Sequence, residues 1–426
     1  MLPTAITLRN YRSFAAPVRL ELRPITLLFG ENNAGKSALL RALPLLSDST
    51  GPKATGPLEM ESLAVRGSSF QDLRWKGVEE DEDRDVGLGL CWEGADADAV
   101  ARVDYALTLV EVEDWRRLVI RRLSLRDKGD HLLFQAERIP TREDRASGDL
   151  TYEVRFAAAW ARPTLTQLSF QGLLPRSTRT SELGAMAERL AGLHDQVQWL
   201  TATRQLPERT LPYPSAPRWR MRPDGSDAPT VLAGNPELLS EVSYWYERHL
   251  RRRLHVEEVT SDQFRLMMQH VDKAALDTAL ADNGEGTIQV LPVLTALALI
   301  RRQDQGGPGI LAIEEPESHL HPSLQAALAE HLCEVAASSK SSRVVIETHS
   351  EHLLLAIQLQ IVRGLLRPED VQVYWVHQLD GGQSVADPVT FDENARPQGS
   401  WPPGVFAEDT EIAREIVQAR RERAQA

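Results

Sequence analysis

Over residues 4–9 and 18–29 apolar positions alternate with polar ones and then run together, ending in Ile25-Thr26-Leu27-Leu28-Phe29-Gly30. This pattern predicts strands, the last of them buried. A turn rich in glycine and asparagine follows, then helical spacing over residues 36–46. From residue 86 to about 160 the period becomes two. Val103, Tyr105, Leu107 and Leu109 alternate with polar neighbours, and RRLVIRRLSL does much the same. An antiparallel sheet with several hairpins is expected there. Residues 163–300 read as mostly helical, with apolar spacing over 181–200 and 236–255 and a proline-rich loop at 206–229 between them.

Strand and helix then alternate again. GILAIE is a buried strand, residues 322–337 a helix, RVVIET a second strand, residues 351–366 a second helix and VQVYWVHQ a third strand. Residues 382–405 read as a short hairpin with a Pro/Gly tail, and 408–424 as a terminal amphipathic helix. The expected fold class is α/β, with a mixed central sheet, an N-terminal antiparallel β subdomain and a helical insertion. Four segments result: 1–160, 161–280 (mainly helical), 281–380 and 381–426. A core contributed by the first and third would be split by the second.

Composition narrows the class. A hydrophobic fraction of 42% with 26% charged residues is that of a globular protein. The longest apolar stretch, residues 290–300, is interrupted by Pro292 and Thr295 and is too short to cross a bilayer. The first residues lack a basic segment leading into an apolar core, so a cytoplasmic location is expected. Cys91 and Cys333 are read as buried, reduced thiols. A net charge of −13 argues against a surface coated with nucleic acid but leaves room for a local basic groove.

Gly30-Glu31-Asn32-Asn33-Ala34-Gly35-Lys36-Ser37 fits G-x-x-x-x-G-K-[ST], between a buried strand and a helix. Glycines let backbone N–H groups turn inward onto phosphate oxygens, and the helix N-terminus adds positive potential. Lys36 is expected at the β- and γ-phosphates of ATP. Ser37 is expected on Mg2+, and Asn32, Asn33, Ala34, Gly35 and Ala38 around the phosphates. The strand Ile310-Leu311-Ala312-Ile313 runs into Glu314-Glu315-Pro316. Paired carboxylates at such a strand end sit where open α/β sheets bind ligands. Glu314 is expected to orient the metal through water, and Glu315 to polarise the attacking water. His349 follows the next apolar strand and is expected to bond the γ-phosphate or position the water. Asp282-Asn283-Gly284-Glu285-Gly286-Thr287 precedes a helix and forms a second anion-binding device. One phosphate loop needs only one such partner, so this segment is expected to serve the nucleotide of a second subunit.

In this order these features resemble the ABC-type ATPase heads of the RecF, SMC and OLD group. The resemblance is strongest to bacterial OLD-like ATPases with a conserved C-terminal module of unknown function. It is carried by Leu8–Phe14, the phosphate loop, Ser69-Phe70-Gln71-Asp72-Leu73, residues 284–292, 314–322 and 347–350, and Trp401-Pro402-Pro403-Gly404-Val405-Phe406. It implies ATP hydrolysis in a homodimer, or a higher even-numbered assembly, that sandwiches nucleotide. Gly284, Gly286 and Thr287 would then be the signature facing the other subunit's γ-phosphate. Residues 318–321 would connect the two sites, with His349 the switch histidine, Gln71 or its neighbour Asp72 a metal contact and Arg12 close to phosphate. Ile288 departs from the family, which has serine directly before the signature glutamine.

OLD nucleases carry a further Toprim domain. The stretch after His349 shows no Glu…Asp-x-Asp arrangement on strand ends, so no nuclease site is expected. By family analogy alone the switch would control a partner effector, encoded nearby, in defence against phage or plasmid. The alternative is a RecF-like, DNA-binding ATPase of repair. It is motivated by arginines at 204, 209, 218, 220 and 222 and by Arg251-Arg252-Arg253.

Overall fold

The computed structural model describes residues 1–401 apart from 78–84, 94–98, 113–114, 142–143, 145–148, 157–161, 177–179 and 340. The terminal helix expected at 408–424, and the run from Pro402 to Phe406, lie outside the described residues.

The central sheet has seven strands, in the order Val197–Leu200, Ile310–Glu314, Arg343–Glu347, Ile25–Gly30, Val371–Gln378, Ser384–Phe391 and Pro397–Gly399. The first five are parallel and the last two antiparallel. All five residues of Ile310–Glu314 are buried, as expected for a parallel strand covered on both faces. Residues far apart in sequence thus end at one edge of one sheet, and the phosphate-loop strand is separated from the acidic strand by the strand leading to His349.

The two faces pack into two cores. Leu28, Ala312 and Val345 share one with the helix Lys36–Asp48 and with an eight-stranded antiparallel sheet. Ile25, Leu27, Ile313 and Ile346 share the other with the helices Glu285–Ile300, Pro322–Ser338 and Glu351–Val362. The eight-stranded sheet contains the strands expected between 86 and 160, joined by Ala5–Arg9 and Val18–Glu21 on one edge and Thr164–Leu168 on the other. Cys91 and Cys333 are free and buried.

The segment 161–280 is not mainly helical. Val197–Leu200 joins the central sheet, and Arg252–Thr260, Gln263–His270 and Lys273–Ala279 form an antiparallel arm. The helix Pro236–Leu250 ends at Arg251, whose φ of 53° takes the backbone into the left-handed region. Leu250 and Leu254 keep helical spacing across that break, which is why the sequence reads on as helix. Only the two-residue alternation of Leu254 and Val256 marks the strand.

Candidate nucleotide and metal site

Helix Lys36–Asp48 starts directly after the strand Ile25–Gly30, leaving room only for the tight loop between them. At Gly30, φ is 145° and a Cβ would lie 2.0 Å from the Val376 carbonyl oxygen, so this corner of the loop requires glycine. Lys36 is 3% exposed, and its Nζ donates to the carbonyls of Gly30 (3.0 Å) and Glu31 (2.5 Å). Burial lowers its pKa, against the opposing pull of Glu347, Glu315 and Glu31.

The loop opens into a cavity of about 930 Å³. Asn32, Asn33, Ala34, Gly35, Lys36, Ser37 and Ala38 line it, together with Arg12, Glu315 and His349. Phosphate loop, acidic strand end and histidine therefore meet in one space. Gly30, Glu314 and Gln71 do not line it; from the segment around Gln71 it is Asp72 that does. The Arg12 guanidinium donates to the Val65 carbonyl, the Ser68 hydroxyl and the Asp72 carbonyl, so it ties residues 65–72 against the cavity mouth.

The two carboxylates at the sheet edge sort themselves by strand and helix geometry. Glu314 and Glu347 are register partners on neighbouring parallel strands and point to the same face, toward helix Lys36–Asp48. Ser37 and Arg41 are one turn apart on that helix. Glu347 accepts from the Ser37 hydroxyl at 2.6 Å. Glu314 receives a two-pronged Arg41 guanidinium, Nε to Oε1 at 2.6 Å and Nη2 to Oε2 at 2.5 Å. Trp199 Nε1 and the Ala202 N–H also donate to Glu314, at 3.1 and 3.4 Å. At 1% exposure its lone pairs are engaged inside the protein. Its place on the sheet aims Glu314 one helical turn beyond the phosphate loop, at Arg41, and not into the cavity where the sequence placed it beside the metal.

Glu315 turns the other way. Its φ of 43° breaks the strand direction, its N–H bonds the Glu347 carbonyl at 2.8 Å, and its Oε2 accepts from the Ser318 hydroxyl at 2.9 Å. His349 stands open to the cavity, and burial with the Lys36 cation holds its pKa below the ordinary value, favouring neutral imidazole. Glu317 fixes the histidine turn: one oxygen accepts from the Thr348 hydroxyl (2.6 Å) and from the His349 N–H (3.0 Å). Burial raises the Glu317 pKa. Arg204 is 4% exposed and donates to the carbonyls of Glu314 (2.6 Å) and Glu315 (3.1 Å). Burial lowers its pKa to about 10. Sequence reasoning missed Glu347, Glu317 and Arg204 as site residues. The first two lie inside quoted motifs, but only three-dimensional pairing distinguishes them from their neighbours.

Gly284, Gly286 and Thr287 lie at the start of helix Glu285–Ile300, outside this chain's cavity. Gly286 packs against residues 318–321: a Cβ there would sit 2.5 Å from the His319 carbonyl oxygen. Ile288, at the family's serine position, is 4% exposed and part of the core.

A magnesium ion fits the remaining donors. Glu347 is 5% exposed, and its Oε2 is buried with no hydrogen-bond partner, beside a hydroxyl and the cavity. No group of three or more His, Cys, Asp or Glu suited to a metal occurs among the described residues. Magnesium needs none, since it binds through one or two protein oxygens, substrate phosphates and water.

A phosphate loop, an acidic strand end one inserted strand away, and a histidine just past the end of that inserted strand define a P-loop ATPase of the ABC type. The chain belongs to the family described as AAA domain, putative AbiEii toxin, Type IV TA system, whose model matches residues 121–356. A model described as AAA ATPase domain matches residues 1–92. No curated protein matches the chain in sequence. Among solved structures it is similar to the SMC head domain from Thermotoga maritima, with 11% identity, a TM-score of 0.44 and coverage of 91% of this chain and 99% of that one. An SmcHead bound to the C-winged helix domain of ScpA gives 13% identity, a TM-score of 0.48 and coverage of 92% and 98%. The Smc head domain with an extended coiled coil, bound to the C-terminal domain of ScpA derived from Pyrococcus furiosus, gives 10%, 0.48 and 99% of both chains. No helix among the described residues is long and apolar enough to cross a membrane.

Proposed function

We propose that this chain is an ATP- and magnesium-dependent switch, in which two copies close around nucleotide and ATP hydrolysis resets a partner effector. The reading rests on one observation above the others: Lys36, Ser37, Glu315 and His349 come from three separated parts of the chain and line one cavity. In the proposed roles Lys36 holds the β- and γ-phosphates, Glu315 polarises the attacking water, and His349 contacts the γ-phosphate. Pairing is supported by the exposure of Gly284 away from its own cavity, at a helix start free to meet phosphate from another subunit. The family's description, which names a toxin of a toxin–antitoxin system, supports a role in anti-phage or anti-plasmid defence.

The arginines that motivated a DNA clamp are mostly engaged elsewhere. Arg204 is buried on backbone carbonyls. Arg209, Arg218, Arg251 and Arg253 pair with Asp282, Asp227, Asp272 and Glu247. Their charge is largely neutralised in place, which favours the switch reading.

Glu315→Gln tests the proposal. The variant should bind ATP, stop releasing phosphate, and run as a dimer with ATP on a sizing column with light scattering. Phosphate release at the unmodified rate would remove the assignment of Glu315. A chain that stays single with ATP in this variant would remove the sandwich.

A further inference from the structure

The switch reading requires a divalent cation beside the phosphates, and the following inference rests on it. We infer that the carboxylate serving this cation is Glu347, and that Glu314, the acidic residue at the end of the neighbouring strand, serves as a buried anchor for Arg41.

The geometry separates the two. Every oxygen of Glu314 is engaged: Oε1 accepts from Arg41 Nε and Trp199 Nε1, and Oε2 from Arg41 Nη2 and the Ala202 N–H. To reach a cation in the cavity it would have to abandon a charge-assisted, bidentate pair inside the protein. Glu347 has the opposite character. It lines the cavity, one oxygen is 2.6 Å from the Ser37 hydroxyl, and the other is buried and unpartnered. An orphaned carboxylate oxygen is costly to bury, and a hard cation with its water shell supplies what is missing. The contact to Ser37 completes the arrangement. When the Ser37 oxygen turns a lone pair to the cation, its proton remains donated to Glu347, so the hydroxyl is oriented for the metal rather than away from it. Register fixes this outcome. Glu347 is level with Leu28 on the phosphate-loop strand, whereas Glu314 is one strand further off.

Manganese reports the site without turnover. Bound Mn2+ is counted by electron paramagnetic resonance with a non-hydrolysable ATP analogue present, for the unmodified chain, Glu347→Gln, Glu347→Asp and Glu314→Gln. A fluorescent form of the analogue is titrated separately in EDTA. Glu347→Gln should lose on the order of tenfold or more in Mn2+ affinity while keeping its analogue affinity in EDTA. Glu314→Gln should keep its Mn2+ affinity and instead melt at a lower temperature. Should Glu347→Gln not fold, the shorter carboxylate of Glu347→Asp, drawn back from Ser37, should show the same selective loss. Unchanged Mn2+ affinity in the folded Glu347 variant, or a loss carried by Glu314→Gln, overturns the inference. Failure of the unmodified chain to bind the analogue at all would instead overturn the ATPase reading beneath it.

Discussion

Replacing Arg41 with methionine should cost stability, and the size of the loss can be worked out. Arg41 is 9% exposed and Glu314 1%, and the two share two short charged hydrogen bonds. Removing one partner of a buried ion pair leaves an uncompensated charge and costs about 3–5 kcal/mol. Here Trp199 Nε1 and the Ala202 N–H continue to hold the carboxylate, which places the expected loss near the lower end, about 3 kcal/mol. For domains of 150–250 residues each kcal/mol moves the midpoint by about 2–4 °C, so the apparent Tm should fall by about 6 °C or more. Adding Glu314→Gln removes the stranded charge and should recover part of the loss, giving a coupling of about 1–2 kcal/mol in the double-mutant cycle. Urea unfolding followed by far-UV circular dichroism on the four proteins measures each corner. If Arg41→Met loses less than about 1 kcal/mol and the two changes simply add, the pair is not the buried anchor described above.

Three further outcomes are expected. Gly286→Ala places a methyl group 2.5 Å from the His319 carbonyl oxygen; in the Glu315→Gln background it should weaken ATP-driven pairing by about tenfold or more, about 1.4 kcal/mol, with nucleotide binding by the single chain unchanged, both read by light scattering and equilibrium titration. Gly30→Ala combines a φ of 145° with a Cβ 2.0 Å from the Val376 oxygen and should destabilise by about 3 kcal/mol or more, seen as a lower urea midpoint; an unshifted midpoint would contradict the tight corner. Burial lowers the pKa of His331 below 6.5. The folded chain then binds fewer protons there than the unfolded one, so this stability is present above the unfolded pKa and lost as pH falls from there through the folded pKa. Between pH 7.5 and about 5 the apparent Tm of the unmodified chain should fall more than that of His331→Gln, and parallel curves would refute it.

Much of the site could be read from the sequence because its parts are local. A glycine-rich turn between a buried strand and a helix has one common use, and Glu315 and His349 follow strands whose apolar runs are plain. What escaped was long-range. Nothing near Glu314 announces Arg41, which lies 273 residues away, and Glu347 looks like the end of a strand until its register places it against Ser37. The arm at 252–279 was hidden for the opposite reason, since a purely local signal, the spacing of Leu250 and Leu254, carried the helical pattern past a turn made by the backbone at Arg251.

Arg204 gives the arm a mechanical hold on the chemistry. Its guanidinium staples the backbone at Glu314 and Glu315, and a few residues later the same stretch of chain, at Leu211 and Pro212, is stitched to the start of the arm's middle strand at Gln263 and Phe264. A push on that outlying ribbon is delivered to the backbone that aims Glu315 through a short strut with few joints.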